Sequence, residues 1–320
     1  AEEGFVLSAV DLSSAWGCEY TNSIFLNRAS GIRCWIISVT VVTIMRDDLL
    51  WRHLRDLPAF RALLRAVEAH FYADLPIERP VLDLGCGDGH FASIAFDEPL
   101  EAGFDPWWGP LSEARGRGAY RLLSQAEGAR MPYPDGCFAT VVSNSVLEHI
   151  PRVQPVLTEA ARVLRPGGYF YFCVPGPNFL PFLSIGRALD RVRLRPLAEA
   201  YRRLFNRISR HHHCDGADVW ERRLEVASLR LVNWWPYFTR RALVALEWGH
   251  YLELPSLVCK KLTGRWVLFP SRANLWLTER MLRPLYQESL SLGDGGAGAC
   301  LFFVAQKAAA AATSDRGEAL

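Results

Sequence analysis

Apolar residues in the middle of the chain form short runs, separated by longer stretches with a helical pattern. The run at Pro80–Leu84 predicts a buried strand, and further strands are predicted at Glu101–Asp105, Tyr120–Gln125, Phe138–Ser143 and Tyr169–Val174. Helical stretches lie between them, most clearly Pro155–Leu164, which ends where Arg165 precedes a proline. Strands that alternate with helices predict a parallel sheet with helices on both faces.

An amphipathic helix is predicted before the first strand. Five apolar residues recur at positions i, i+3, i+4, i+7 and i+11, namely Phe60, Leu63, Leu64, Val67 and Phe71. This spacing places them on one helical face. We expect that face to pack on the elements that follow.

Beyond Val174 the pattern changes to helices that are broken by prolines and rich in arginine and tryptophan. Helices are predicted up to Arg210 and then at Asp218–Ala227, Arg240–Leu254 and Arg272–Tyr286. Two further apolar runs, Leu229–Trp234 and Cys300–Ala305, predict two more strands.

The composition excludes several classes of protein. The chain has 320 residues, of which 50% are hydrophobic and 22% are charged, so it buries a core and is not disordered or fibrous. A net charge of +2 gives no reason to expect a nucleic-acid partner. Its eight cysteines form no close pair, which favours reduced thiols in the cytoplasm. The longest apolar run, Cys34–Met45, is too short to span a bilayer.

A glycine-rich loop follows the first predicted strand. Gly85, Gly87 and Gly89 come directly after Asp83, and a second acid, Asp105, lies 22 residues beyond the first. Glycines allow unusual backbone angles and let a ligand approach without a β-carbon in the way. A carboxylate at the end of the next strand can accept both hydroxyl protons of a ribose. The combination predicts a site for a cofactor that contains a nucleoside.

The spacing of this loop and of three later segments resembles the class I S-adenosylmethionine-dependent methyltransferases, most closely the type 11 branch. The later segments are similar to the family's adenine-reading segment, its fourth strand with the following loop, and its turn into strand five: Glu127–Phe138, Val141–His149 and Arg162–Gly168. The resemblance covers about residues 80–175. Two positions depart from it, since Ala139 stands where the family often has an aspartate and Glu127 replaces a more usual aspartate.

The resemblance implies an α/β, Rossmann-like, seven-stranded and mostly parallel sheet with helices on both faces, plus helical lid insertions. The implied organisation is an N-terminal extension of doubtful role (1–45), N-terminal helices (46–75), the cofactor-binding core (76–175), a lid insertion (176–212), a core helix with strand six (213–235), a Trp-rich helical insertion (236–299), strand seven (300–307) and a disordered tail (308–320). We expect both insertions to form a lid over the substrate.

The resemblance also implies S-adenosyl-L-methionine as the cofactor and assigns a role to each motif residue. The methionine end is assigned to Asp83, Gly85, Cys86, Gly87 and Gly89, the ribose to Asp105 beside Pro106, the adenine to Glu127 beside Gly128, and the floor near the sulfonium to Ser143 and Asn144.

Methyl transfer from a sulfonium needs a nucleophile held in line and water kept out. A general base is needed only where the acceptor must lose a proton, and His149 is the candidate because it follows strand four. It could equally cap or pack its helix. The run His211-His212-His213 invites a metal site, but adjacent histidines diverge and no second ligand cluster follows, so we predict no metal.

We therefore expect an enzyme that methylates a small, hydrophobic or aromatic acceptor, with paired tryptophans such as Trp107-Trp108 and Trp234-Trp235 either lining a pocket or packing the core. The helices at 240–254 and 257–268 also fit peripheral contact with a membrane surface. One alternative is a nicotinamide-dependent oxidoreductase, although its G-x-G-x-x-G spacing is not present in this loop. The other is a catalytically silent scaffold that binds the cofactor.

Overall fold

The structure is a computed structural model that describes residues 48–252, 254–292 and 296–309. The expected extension at residues 1–45 lies outside the described residues, and so do residues 310–320 of the expected tail.

Seven strands form one sheet in the order β3-β2-β1-β4-β5-β7-β6. They are β1 (Val81–Leu84), β2 (Leu100–Asp105), β3 (Tyr120–Gln125), β4 (Phe138–Asn144), β5 (Leu164–Pro175), β6 (Leu229–Tyr237) and β7 (Cys300–Lys307). Strands β1 to β5 pair in parallel, whereas β7 is antiparallel to both of its neighbours, β5 and β6. The predicted fold class, a mostly parallel seven-stranded sheet, is confirmed.

Twelve helices are found among the described residues. They are α1 (Leu49–Leu54), α2 (Ala59–Ala73), α3 (Ala92–Ala95), α4 (Trp108–Arg117), α5 (Gln154–Val163), α6 (Phe179–Phe182), α7 (Ser184–Arg191), α8 (Arg195–Ser209), α9 (Ala217–Val226), α10 (Arg240–Leu252), α11 (Leu254–Thr263) and α12 (Arg272–Leu290). A short 3-10 turn, Leu147–His149, follows β4.

The central strands are buried on both faces, which explains why they are near-continuous apolar runs in the sequence. Every residue of β4 is buried, and β5 is buried from Phe170 to Pro175. One hydrophobic cluster on the first face includes α2, and a second cluster on the other face includes α5 and α9.

Strand β5 begins five residues earlier than the apolar run predicts. Phe138 of β4 pairs with Leu164, and after an irregularity in register Thr140 pairs with Tyr169. Gly167 lies within this irregularity at a φ of 79°, a left-handed conformation that glycine adopts at little cost. The two glycines therefore form a bulge inside the strand rather than a turn before it.

Two helical segments lie after β5 and between β6 and β7, and we call them the first and the second insertion. The first contains α6, α7 and α8, and the second contains α10, α11 and α12. In the part of the chain described, none of these helices is both long enough and apolar enough to cross a membrane.

Candidate active site

Backbone amides of the glycine-rich loop after β1 donate hydrogen bonds to the end of β2. The amides of Gly85 and Cys86 donate to the carbonyl of Phe104, at 3.0 and 2.9 Å. The amide of Gly87 donates to Oδ2 of Asp105 at 3.1 Å. The loop thus brings the carboxyl ends of β1 and β2 together at one edge of the sheet, where ligands bind in open α/β folds.

Two glycines of this loop are required for different reasons, although both have a positive φ. A β-carbon added at Gly85 would lie 2.5 Å from Cγ1 of Val146, so this position is closed by packing. A β-carbon added at Gly87 would meet no atom within 4 Å, because this position faces open space. Gly87 is therefore the position at which a ligand can lie against the backbone.

Two buried aspartates lie beside the loop in different surroundings. Asp83 accepts a hydrogen bond of 2.6 Å from the hydroxyl of Tyr120, and burial raises the pKa of Asp83 to about 6 against the effect of that bond. Asp105 accepts the amides of Gly87 and Trp107, and burial raises its pKa. Each Asp105 oxygen keeps a lone pair for a further donor.

The end of β4 is held by a buried carboxylate from helix α2. Glu68 accepts four hydrogen bonds: at Oε2 from Arg65 Nη1 (2.7 Å) and Asn144 Nδ2 (2.6 Å), and at Oε1 from the hydroxyls of Ser145 (2.8 Å) and Tyr237 (2.9 Å). Glu68 is fully buried. A buried charge is tolerated only when it is paired and hydrogen-bonded, so this cluster joins α2, the β4 loop and β6 in one arrangement.

A cavity of about 720 Å³ lies over the glycine loop and the end of β4. Its lining combines the loop, the start of α4, the residues after β4, helix α2 and the second insertion. Among the lining residues are Gly85, Cys86, Gly87, Ser112, Asn144, Arg61, Arg65, His149, Lys260 and Trp266.

A second cavity of about 430 Å³ lies beside the first. Most of its lining is apolar and comes from α2 and the two insertions, including Phe60, Leu64, Phe179, Ile208, Leu246, Leu257 and Trp266. Five residues line both cavities and so mark their junction: Arg61, Arg65, Ser145, His149 and Trp266.

The side chain of His149 is oriented by the first insertion. Its Nδ1 lies 3.1 Å from the carbonyl oxygen of Arg210, and because a carbonyl only accepts, Nδ1 carries the proton. In the neutral ring Nε2 is then the free acceptor. Nε2 lies 3.8 Å from Oε1 of Glu148. Burial lowers the pKa of His149 and raises the pKa of Glu148 to about 8.

The three histidines after α8, His211 to His213, connect the first insertion to the turn after β4 through hydrogen bonds and a ring contact. The amide of His212 donates to the carbonyl of Glu148 at 2.7 Å, and Nε2 of His213 lies 3.0 Å from the carbonyl of Ile150. The ring of His211 stacks obliquely on His149, with centroids 5.3 Å apart.

Glu148, His149 and His211 offer ligand atoms that all lie within 4.8 Å of one another. In the sequence, only the three adjacent histidines suggest a metal site. The fold instead places one of them beside a carboxylate and an imidazole from another part of the chain.

The family described as "Methyltransferase domain" matches residues 82–172, from β1 into β5. Residues 82–172 are a class I S-adenosylmethionine-dependent methyltransferase domain. The family and the cofactor, S-adenosyl-L-methionine, that the sequence predicts are confirmed for this domain.

Relatives of the methyltransferase domain act on different acceptors, by their names. The ubiquinone biosynthesis O-methyltransferase of Vibrio atlanticus (strain LGP32) is 31% identical over 117 residues, which are 33% of this chain and 47% of that protein. The fatty-acid O-methyltransferase of Mycolicibacterium smegmatis is 35% identical over 104 residues, 31% of this chain and 38% of that protein. The chain therefore spans less than half the length of these curated relatives. Neither is an oxidoreductase, so the nicotinamide alternative gains no support.

Among solved structures, one to which this chain is similar is the S-adenosylmethionine dependent methyltransferase from Mesorhizobium loti. It is 17% identical, has a TM-score of 0.46, and the match covers 76% of this chain and 98% of that chain.

The methyltransferase domain brings part of the predicted residue set to the larger cavity. Gly85, Cys86, Gly87, Asn144 and His149 line it, and Asp105 is bonded to the loop beside it. The other predicted residues are outside its lining: Asp83, Gly89, Pro106, Glu127, Gly128 and Ser143.

Local contacts explain where those residues lie instead. Ser143 is fully buried, and its hydroxyl donates to the carbonyl of Leu84, which joins β4 to β1. A β-carbon at Gly89 would lie 3.2 Å from the α-carbon of Ala114, so this glycine allows α4 to approach. Glu127 is exposed in the turn after β3. Gly128 packs against Val156.

Sequence reasoning missed the polar residues that helix α2 contributes to the site. Arg61 and Arg65 line both cavities, and Glu68 holds the end of β4. The apolar stripe predicts only which face of α2 is buried. A signal was present in the spacing, because Arg65 and Glu68 are three residues apart and so lie on one side of a helix.

Proposed function

We propose that this chain transfers a methyl group from S-adenosylmethionine, by in-line displacement, to a small and mainly apolar acceptor. The observation that carries the proposal is the pair of adjoining cavities. One lies on the glycine loop, the other is lined mostly by apolar side chains, and they meet at His149 and Ser145. Two reactants held in adjoining pockets are already close, which lowers the entropic cost of their reaction.

The larger cavity, together with residues of the neighbouring strand ends, fits the cofactor. The open space beside Gly87 accommodates the methionine end, and the spare lone pairs of Asp105 accept the ribose hydroxyls. Pro106 follows Asp105, and Glu127 with Gly128 would face the adenine. Bound there, S-adenosylmethionine supplies a methyl group on a positively charged sulfur, which is already activated toward nucleophiles.

His149 serves as the general base when the acceptor must lose a proton. Its Nδ1–H is held by the carbonyl of Arg210, which leaves Nε2 free to accept at the junction of the cavities. Its lowered pKa keeps the ring neutral and competent near pH 7. Glu148 beside it is protonated at that pH, because burial has raised its pKa.

Both insertions act as the lid that excludes water from the reacting groups. Phe179 and Ile208 of the first insertion and Leu246 and Trp266 of the second line the apolar cavity. Their apolar surface favours an acceptor with a hydrophobic or aromatic body.

Calorimetric titration with S-adenosylhomocysteine tests the cofactor site. Gly87→Val places atoms in the open space, and Asp105→Ala removes the ribose acceptor, so each weakens binding by about 10²-fold. Gly118→Val is the matched control, since Gly118 also has a positive φ, of 67°, and its β-carbon also meets no atom within 4 Å, but it caps α4 outside the lining of either cavity. Unchanged binding in both site variants refutes the assignment.

Turnover separates the enzyme from a silent scaffold. Methyl transfer is followed with labelled S-adenosylmethionine and a panel of apolar alcohols, phenols, carboxylic acids and amines. Transfer to a member of the panel supports the proposal. Tight cofactor binding without transfer to any acceptor class favours the scaffold.

A further inference from the structure

Helix α11 and the chain after it carry apolar side chains on their outer surface. Seven large apolar residues from α11 to the first turns of α12 are exposed. One of them, Leu257, also lines a cavity, and we call the other six the α11–α12 face: Val258, Leu262, Leu268, Phe269, Trp276 and Leu277. Leu262 is 80% exposed and Phe269 is 71% exposed. A concentrated apolar surface of this kind marks a contact with a partner or a membrane.

Helix α11 also carries apolar residues away from the side that lines the cavities. Leu257 and Lys260, three residues apart, line the cavities on the inner side. Val258 and Leu262, four residues apart, share a different side and are exposed. A surface helix normally turns a polar side to water, so the outer apolar side needs an occupant other than water.

The charge of this segment identifies the occupant. Residues 254–278 contain no aspartate or glutamate but contain Lys260, Lys261, Arg265 and Arg272. Lys260 pairs with Glu113 at 2.8 Å, whereas Lys261 and Arg265 are exposed beside the apolar side chains. Within this segment the apolar residues are flanked by basic residues and no acidic ones, which fits the surface of an anionic lipid bilayer. Each basic side chain is attracted to the lipid headgroups, and the apolar side chains enter the boundary between the headgroups and the acyl chains.

We propose that the α11–α12 face binds the surface of an anionic lipid bilayer. Leu262 and Phe269 enter the interface, and Lys261 and Arg265 contact lipid phosphates. Tryptophan is suited to this depth because one end of its ring system is apolar and the indole N–H is polar, and Trp276 contributes in this way. The contact is peripheral, in keeping with the lack of a membrane-crossing helix among the described residues.

The arrangement also places the apolar cavity next to the bilayer. Leu257 of α11 and Trp266 form part of the cavity wall, so a single layer of protein separates the lipid surface from the cavity. An acceptor that partitions into lipid would reach the cavity over a short path. This last consequence rests on the proposed function, whereas the lipid contact does not.

Sedimentation with sucrose-loaded vesicles tests the proposal on the full chain. Vesicles of phosphatidylcholine alone are compared with vesicles of equal parts phosphatidylcholine and phosphatidylglycerol, at low and high salt. We expect the wild type to bind the anionic vesicles and to be released in part by salt. The double variant Leu262→Asp with Phe269→Asp should bind about tenfold or more weakly.

Val226→Asp is the matched control, because Val226 is 73% exposed on α9, away from this face. It should bind vesicles like the wild type. The proposal is overturned if the wild type does not bind anionic vesicles, if the double variant binds as well as the wild type, or if the control loses as much. It is also overturned if the wild type is a dimer that the double variant makes monomeric without any vesicle binding, since the face then belongs to a second copy. Calorimetric titration of each variant with S-adenosylhomocysteine reports on the proposed function separately.

Discussion

Replacing Glu68 by glutamine removes one buried charge while keeping the shape of the side chain. The glutamine oxygen can still accept from Arg65 and Asn144, and its amide can donate to the hydroxyls of Ser145 and Tyr237, which accept as well as donate. The number of hydrogen bonds is therefore preserved. What is lost is the negative charge that compensates Arg65.

The cost follows from the burial of the pair. Breaking a buried ion pair by neutralising one partner costs about 3–5 kcal/mol. The side chain of Arg65 is 20% exposed toward the cavities, so water relieves part of the penalty and the lower end applies, about 3 kcal/mol. For a domain of this size that corresponds to a fall in melting temperature of about 6 °C.

A double-mutant cycle with Arg65→Met isolates the interaction. Thermal unfolding of the wild type, both single variants and the double variant gives the coupling free energy. We expect Glu68→Gln to cost about 3 kcal/mol beside Arg65 and much less beside methionine. Equal costs in the two backgrounds would show that the two charges do not stabilise each other, and would contradict the reasoning.

Four further predictions concern the glycine loop and the residues around His149. Gly85→Ala should lower the melting temperature in thermal unfolding, because its β-carbon would collide with Val146. Gly87→Ala should lower the melting temperature less than Gly85→Ala does, but should weaken S-adenosylhomocysteine binding in calorimetry. His149→Gln should lower kcat by about 10²–10⁴-fold. It should also remove the fall in rate on the acid side of the pH–rate profile, which in the wild type should lie below the ordinary histidine pKa. A fall that remains in the variant argues against a base role. Burial raises the pKa of Glu148 to about 8 in the folded protein, so its contribution to stability is present below its ordinary pKa of 4.5 and is lost as the pH rises toward 8. Between pH 5 and pH 8 the melting temperature of Glu148→Gln should therefore fall less than that of the wild type. Equal falls in melting temperature would contradict this. EDTA should leave turnover unchanged, while added Zn²⁺ should inhibit by binding at His149; loss of turnover in EDTA would instead assign a catalytic metal.

The sequence by itself determined the strands, the order of the motifs and the family. The strand Phe138–Asn144 was recoverable because burial on both faces of a parallel sheet leaves a nearly continuous apolar run, which is a local signal. The glycine loop was recoverable because its backbone conformation needs glycine at fixed positions.

Only the tertiary structure decided which polar groups meet. Glu68 and Asn144 are 76 residues apart, and His149 and Arg210 are 61 apart, yet each pair is hydrogen-bonded. The spacing of polar and apolar residues along the sequence does not predict such contacts, because a polar residue contributes to that spacing in the same way whether it faces water or a buried partner. The same limit applies to Gly85 and Gly87, which are alike in sequence. One is closed by Val146 and the other is open to the cavity, since their surroundings come from distant parts of the chain.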